Sequence, residues 1–266
     1  MLLDFNKLGA WKWVLSAICG LMALFLLLPI IFIVALSFGS SRWLIFPPPG
    51  WTLKWYGELF ADPRWIGAAL TSAKIGVIVM VLSVVLGLLA SLALVRGTFR
   101  GRAVLRAFFL TPMVLPVVII AVALYAAFLR LGLNGTLPGF VIAHLIVALP
   151  FAIITISGAL EAFDPAIEEA AILCGASPWE ARLRVTLPGI SHGVFSAAIF
   201  SFLISWDEVV LAIFMASPSL QTLPVKVWTT LRQDLTPVIA AASTLLVVLT
   251  VLLMIAAALI QKGKSK

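Results

Sequence analysis

The sequence predicts an all-α, polytopic membrane protein with six transmembrane helices, on three observations. The 266 residues are 63% hydrophobic and 11% charged, with a mean hydropathy of +1.18. A soluble domain carries roughly 25% charge. Six apolar runs lie at 13–37, 67–95, 108–129, 138–160, 190–216 and 238–260, against the roughly 20 residues needed to cross a bilayer. The segments between them carry unequal positive charge. The whole chain, 1–266, reads as one transmembrane domain with a polar loop at 161–189.

Six crossings place both termini on one side. That side holds Lys7, Lys12, Arg96, Arg100, Arg102, Arg106, Arg182, Arg184, Lys262, Lys264 and Lys266. The other holds Arg42, Lys54, Arg64, Arg130, Lys226 and Arg232. Positive residues accumulate on the cytoplasmic side, so the first set is expected there, and the net charge of +7 needs no nucleic acid to explain it. The cysteines, Cys19 and Cys174, fall at different depths and imply no disulfide framework.

The first run is too long for the apolar part of a secretory signal, and Pro29 interrupts it, so it is expected to stay as a span. Residues 39–66 form the longest outer loop, with Trp43, Trp51, Trp55 and Trp65. Indole favours the headgroup layer, which accounts for most of them. A short helix from Thr52 to Phe60 is the sharper expectation. Lys74 sits at the outer edge of the second run and can snorkel. The Arg96–Arg106 cluster is expected to set topology and meet anionic lipid. Pro112 and Pro116 in the third run and Pro150 in the fourth free backbone groups that need partners. His144 has no obvious local partner and is expected to be packed and neutral.

The loop at 161–189 is the most polar internal stretch. Asp164-Pro165 reads as an N-cap with proline first, opening a short helix that ends near Gly175. Ser177-Pro178-Trp179-Glu180 then reads as a capping box that restarts a helix, with Pro188 as the next boundary. Two helices of about 15 Å each are too short to cross.

In the fifth run, Asp207 and Glu208 stand about seventeen residues from the cytoplasmic end, about 26 Å deep in a continuous helix. Carboxylates at that depth need water, a cation or a partner, and are functional candidates. Ser201, Ser205 and Glu208 share i, i+4, i+7 spacing and form an expected polar stripe, with Asp207 at its border. Trp206 could offer a π face to a cation. Residues 217–237 form a second outer loop, where Thr222-Leu223-Pro224 opens an amphipathic helix ending before Pro237.

No phosphate-binding G-x-x-x-x-G-K-[ST] sequence occurs, since Ala258 stands where the first glycine of Gly263-Lys264-Ser265 would be needed. No HExxH, GxSxG or paired Cys/His cluster occurs either. An enzymatic role has no support, and no catalytic or metal-binding residue is assigned.

Glu169-Ala170-Ala171, Gly175, Val185 and Leu187-Pro188, at this spacing, resemble the EAA loop of permease subunits of bacterial ATP-binding-cassette (ABC) importers of type I. Val185 stands where that family usually has isoleucine. Thr52-Leu53-Lys54-Trp55-Tyr56, Ser205-Trp206-Asp207-Glu208-Val209-Val210, Thr222-Leu223-Pro224 and Thr236-Pro237 extend the resemblance toward the spermidine/putrescine branch. Pro116-Val117 stands where some members carry an acid, so the solute can differ from a long polyamine.

The resemblance implies a coupling helix built from Glu169, Ala170, Ala171, Gly175, Ser177, Pro178, Glu180, Leu187 and Pro188. It implies a substrate pathway past Ser201, Ser205, Trp206, Asp207 and Glu208. The implied partners are a second related permease forming a heterodimer, two cytoplasmic ATPase subunits and a periplasmic solute-binding protein in the bacterial inner membrane. ATP and Mg would belong to the ATPases, with no cofactor in this chain. Polyamines or related amines are the implied cargo, moved by alternating access. The alternatives are another small solute (an opine, amino-acid derivative or aminophosphonate), a proton-coupled secondary transporter using the acids, or a non-transporting scaffold.

Overall fold

The computed structural model describes residue 9 and residues 11–263, with side chains to Ala256. The tail lysines Lys264 and Lys266 and the N-terminal Lys7, used above for orientation, lie outside the described residues, as does the side chain of Lys262. The helices in order are α1 (Trp11–Ser37), α2 (Lys54–Ala61), α3 (Pro63–Arg96), α4 (Arg102–Val114), α5 (Val117–Leu131), α6 (Leu137–Ala162) and α7 (Pro165–Leu173). They continue with α8 (Pro178–Ala181), a π turn (Arg182–Thr186), α9 (Leu187–Gly189), α10 (Ser191–Asp207), α11 (Val210–Met215), α12 (Leu223–Gln233) and α13 (Pro237–Gly263). Among the described residues extended pairing is confined to two isolated bridges.

Four helices, α1, α3, α6 and α13, are long and apolar enough to cross a bilayer unaided. Two further candidates are bent pairs. The run expected to be one helix over 108–129 is α4 plus α5, meeting at 102° across Leu115-Pro116. Pro116 has no N–H to continue the ladder, and it forces Leu115 into an extended conformation. Pro112 and Pro150 remain inside unbroken helices. In the fifth expected span, Pro178–Gly189 meets the start of α10 at a 71° bend, and α10 stops at Asp207 instead of running to 216.

The chain divides into two compact units. The described residues up to Asp62, with 230–247, form one. There Trp55 Nε1 donates to Gly39 O at 2.6 Å, and Ser37 and Tyr56 hydroxyls pair at 2.7 Å. Trp55 is 5% exposed and pins the loop, and Trp65 is buried too, so headgroup anchoring is left for two of the four loop tryptophans and not for most of them. Trp43 and Trp51 are exposed. The short helix expected from Thr52 begins at Lys54, where the Thr52 hydroxyl accepts from the Lys54 N–H at 3.1 Å.

Residues 63–229, with the described residues from Val248 on, form the other unit, centred on α3, α6 and α10. Small residues let these helices approach. A Cβ at Gly87 of α3 would lie 3.0 Å from the Ala152 methyl of α6, and one at Gly193 of α10 would collide with that of Ala159. Close approach at small residues is how helices associate where lipid supplies no hydrophobic drive. Polar ties add to it, since Ser91 donates to Ile153 O at 3.1 Å and Ser157 to the Ser91 hydroxyl at 3.1 Å. Trp65 is buried here, beneath the Lys226 ammonium at 5.5 Å. Lys74 is exposed.

Candidate functional site: an elbow and a broken span

The caps and the turn of the elbow at 164–190 are built from local chemistry. The Asp164 carboxylate accepts from Ala166 N–H at 2.9 Å, capping α7. Gly175 has φ of +99°, and the amides of Gly175 and Ala176 donate to Ile172 O at 2.9 Å and Ala171 O at 3.1 Å. That pair of bonds is the Schellman closure. Ser177 and Glu180 form the expected capping box: the Ser177 N–H donates to Glu180 Oε2 at 3.1 Å, and the Glu180 N–H to Ser177 Oγ at 3.3 Å. The Ser177 N–H and hydroxyl, with the nearby Arg184 charge, hold the Glu180 carboxyl below its ordinary value. Glu169, Ala170, Gly175, Ser177, Pro178 and Glu180 are exposed, together with Trp179 and Leu173, so the elbow offers a surface. Ala171 and Leu187 are half-buried and Pro188 is exposed. Pro188 does not end the second helix, which runs on to Gly189 and turns at Ile190.

Two residues that hold this elbow lie outside the expected set. Arg96 of α3 reaches the C-terminal end of α6, donating to Leu160 O at 3.1 Å and Phe163 O at 2.8 Å. It satisfies carbonyls that a helix end leaves open and complements the helix dipole, so its role is not the lipid contact expected of the arginine cluster. Glu168, beside the EAA sequence, is buried between Arg182 Nε at 3.2 Å and the Thr186 hydroxyl at 2.7 Å. Glu168 was open to notice as half of an acidic doublet. Arg96 gave no local signal, because its partners stand over 60 residues away.

The second region departs from the expected polar stripe. Helix α10 ends at Asp207, Glu208 is extended with ψ of 116°, and α11 restarts at Val210. Glu208 therefore leaves the face of Ser201 and Ser205. Its Oε1 accepts from Leu211 N–H at 2.8 Å, serving the orphan amides of α11. It is not the unpaired acid expected from the sequence. Ser201 and Ser205 are buried, and Ser205 pairs with His144 Nδ1 of α6 at 2.9 Å. His144 is packed as expected, and it has a partner the sequence did not reveal. Trp206 is 5% exposed and stacks on Phe202 at 5.7 Å, which leaves less of its face for a cation. Asp207 is exposed and has no hydrogen bond or ion pair with another described residue.

A helical membrane subunit whose span is entered through an exposed, capped, two-helix elbow is the class of protein this arrangement defines. The chain belongs to the family of binding-protein-dependent transport system inner membrane components, whose pattern matches residues 83–266. It is a multi-pass inner-membrane permease subunit of a type I ABC importer, in the spermidine/putrescine branch, and not an enzyme.

The spermidine/putrescine transport system permease protein PotC of Escherichia coli K12 is 31% identical over 242 residues, 91% of each chain. The putrescine transport system permease protein PotI of the same strain is 33% identical over 224 residues, 82% of this chain and 79% of that one. Among solved structures, a bacterial ABC transporter involved in import of the acidic polysaccharide alginate contains a chain with TM-score 0.74 and 16% identity. The match covers 98% of this chain and 99% of that one. It supports the fold alone.

Proposed function

We propose that this chain is one of two paired permease subunits that carry polyamines or related amine-bearing solutes inward by alternating access. On this reading residues 161–189 dock as a coupling helix on a cytoplasmic ATPase, which binds ATP and Mg. A periplasmic binding protein delivers the solute on the opposite side. Both termini are then cytoplasmic, in keeping with the asymmetric distribution of lysine and arginine. The names of the two permease relatives, which carry spermidine and putrescine, support the cargo class.

The observation that carries the cargo reading is Asp207 at the end of a discontinuous helix. The C-terminal end of α10 presents carbonyl dipoles with negative partial charge, and a carboxylate without a partner stands beside them. Helix breaks within membrane spans provide such cation sites. An ammonium beside this carboxylate gains Coulomb energy that a neutral or anionic solute does not. Glu208 shapes the break by capping α11, and Asp207 makes the direct contact with the amine.

Replacement by amides separates these roles. Asp207→Asn should lower putrescine uptake by roughly tenfold or more, about 1.4 kcal/mol per factor of ten. Glu208→Gln should cost only a few-fold, because the amide oxygen still accepts from Leu211 N–H. The double variant should assemble and its binding protein should bind putrescine normally. Wild-type uptake by Asp207→Asn would remove the acid from the pathway and bring a neutral or anionic solute to the front.

A further inference from the structure

We infer that Glu168 is the positioning residue that turns the elbow into a rigid crank on α10, a reading that rests on the coupling role proposed above. The carboxylate is buried, and such a group is costly unless its oxygens are engaged. Both are. Oε2 accepts from the Thr186 hydroxyl at 2.7 Å and Oε1 from Arg182 Nε at 3.2 Å. Those two residues are the last and the first of the π turn. One carboxylate from α7 therefore holds both ends of the only widened turn among the described helices.

That turn lies where force must pass. On one side of it α8 begins at the exposed capping box, and on the other α9 leads to Ile190 and the 71° bend into α10. Ile190 N–H donates to Thr186 O at 2.9 Å, so Thr186 is bonded to Glu168 through its side chain and to the bend through its backbone. π turns carry a looser hydrogen-bond ladder and recur at functional sites. Left alone, this one would flex under load, and a push on α8 would be absorbed before reaching α10. With Glu168 in place, α7, the π turn and the bend move as one body, and α10 ends at Asp207. The acidic doublet divides the work, since Glu169 is exposed for docking and Glu168 faces inward. The burial of Glu168, with both oxygens already engaged inside the elbow, is what argues against a direct ATPase contact.

The test uses the complete importer reconstituted in vesicles, with two readouts. The first is the width of the distance distribution between spin labels at Leu173→Cys in α7 and His192→Cys in α10, which spans the π turn and the bend, in a background with Cys19 and Cys174 replaced. The second is putrescine imported per ATP hydrolysed. Glu168→Ala and Thr186→Val should each about double the width and lower the yield per ATP by roughly fivefold, a ratio that simple loss of folded complex would not move. Thr186→Ser should restore both, and the double variant should be no worse than Glu168→Ala alone.

An unchanged width or an unchanged yield in Glu168→Ala overturns the inference. So does a normal Thr186→Val beside a defective Glu168→Ala, which would make Glu168 an ATPase contact. If Glu168→Ala does not assemble, Thr186→Val against Thr186→Ser decides. A wild-type complex whose uptake ignores ATP defeats the coupling reading itself, and this inference with it, whereas failure of the crank alone shows only in the variants.

Discussion

The elbow at 164–190 and the break at 205–211 are both polar interruptions of an apolar chain, and they are satisfied in opposite ways. In the elbow the caps and the turn find partners within five residues, Asp164 with Ala166, Ser177 with Glu180 and Ala176 with Ala171, while the Glu168 carboxylate reaches 14 and 18 residues on, to Arg182 and Thr186. Around the break the local side-chain bonds come from Glu208, as with the Leu211 N–H at 2.8 Å. Ser205 reaches 61 residues back to His144, while Ser201 Oγ, Trp206 Nε1 and His144 Nε2 are buried with no partner among the described residues. On the proposed function, the surface that would dock is capped locally, and the region that would admit a solute keeps buried polar atoms without a partner among the described residues. Buried polar atoms without a protein partner are places where water can bond.

The sharpest way to break this comparison is at Gly175. A Cβ there would meet nothing within 4 Å, so any harm must come from φ of +99° and not from a clash. Gly175→Val places a β-branched residue in a left-handed conformation, at a cost of about 1–2 kcal/mol. Uptake should fall roughly tenfold with normal membrane insertion. Full substrate-stimulated ATPase and uptake in the purified variant complex would show that the Schellman closure is dispensable for coupling.

The break should respond differently. Ser205→Ala leaves His144 Nδ1 without its partner inside the α6–α10 contact. It should lower stability by about 1–3 kcal/mol, the cost of an unsatisfied buried group. Thermal unfolding of the detergent-purified complex checks this. A change near zero would mean that water replaces the hydroxyl, and that the reserve of polar atoms is larger than the contacts imply.

The smallest effect belongs to Glu180, which is fully exposed. Its carboxyl titrates below the ordinary 4.5, chiefly because the Ser177 N–H donates to it. A lowered folded value means that the capping contribution is present above 4.5 and is lost as pH falls through the depressed value. Hydrogen exchange at the Glu180 amide should therefore, after correction for intrinsic rates, be level above that pH and speed up below it. Glu180→Gln should flatten the profile. A profile that already changes well above 4.5 would exclude the capping box as its cause.

The two regions also separate what the sequence determined from what it could not. Caps, the Schellman glycine and the EAA spacing were legible because their partners stand two to five residues away and their residue types have few other uses. The apolar runs were legible because a bilayer imposes one length. The family followed from the same local patterns. Tertiary structure decided the rest. Pro116 breaks its span by 102° while Pro112 and Pro150 sit inside intact helices, and nothing adjacent to each proline foretells which. The expected Ser201–Ser205–Glu208 stripe assumed unbroken helical periodicity, and the helix ends between its second and third members. Arg96 with α6, Glu168 with the π turn and His144 with Ser205 join residues 14 to 67 positions apart. Such pairs depend on where helices come to rest against each other. In a lipid-embedded bundle that is set by small residues such as Gly87 and Gly193, which carry no sign in the sequence of the neighbour they admit.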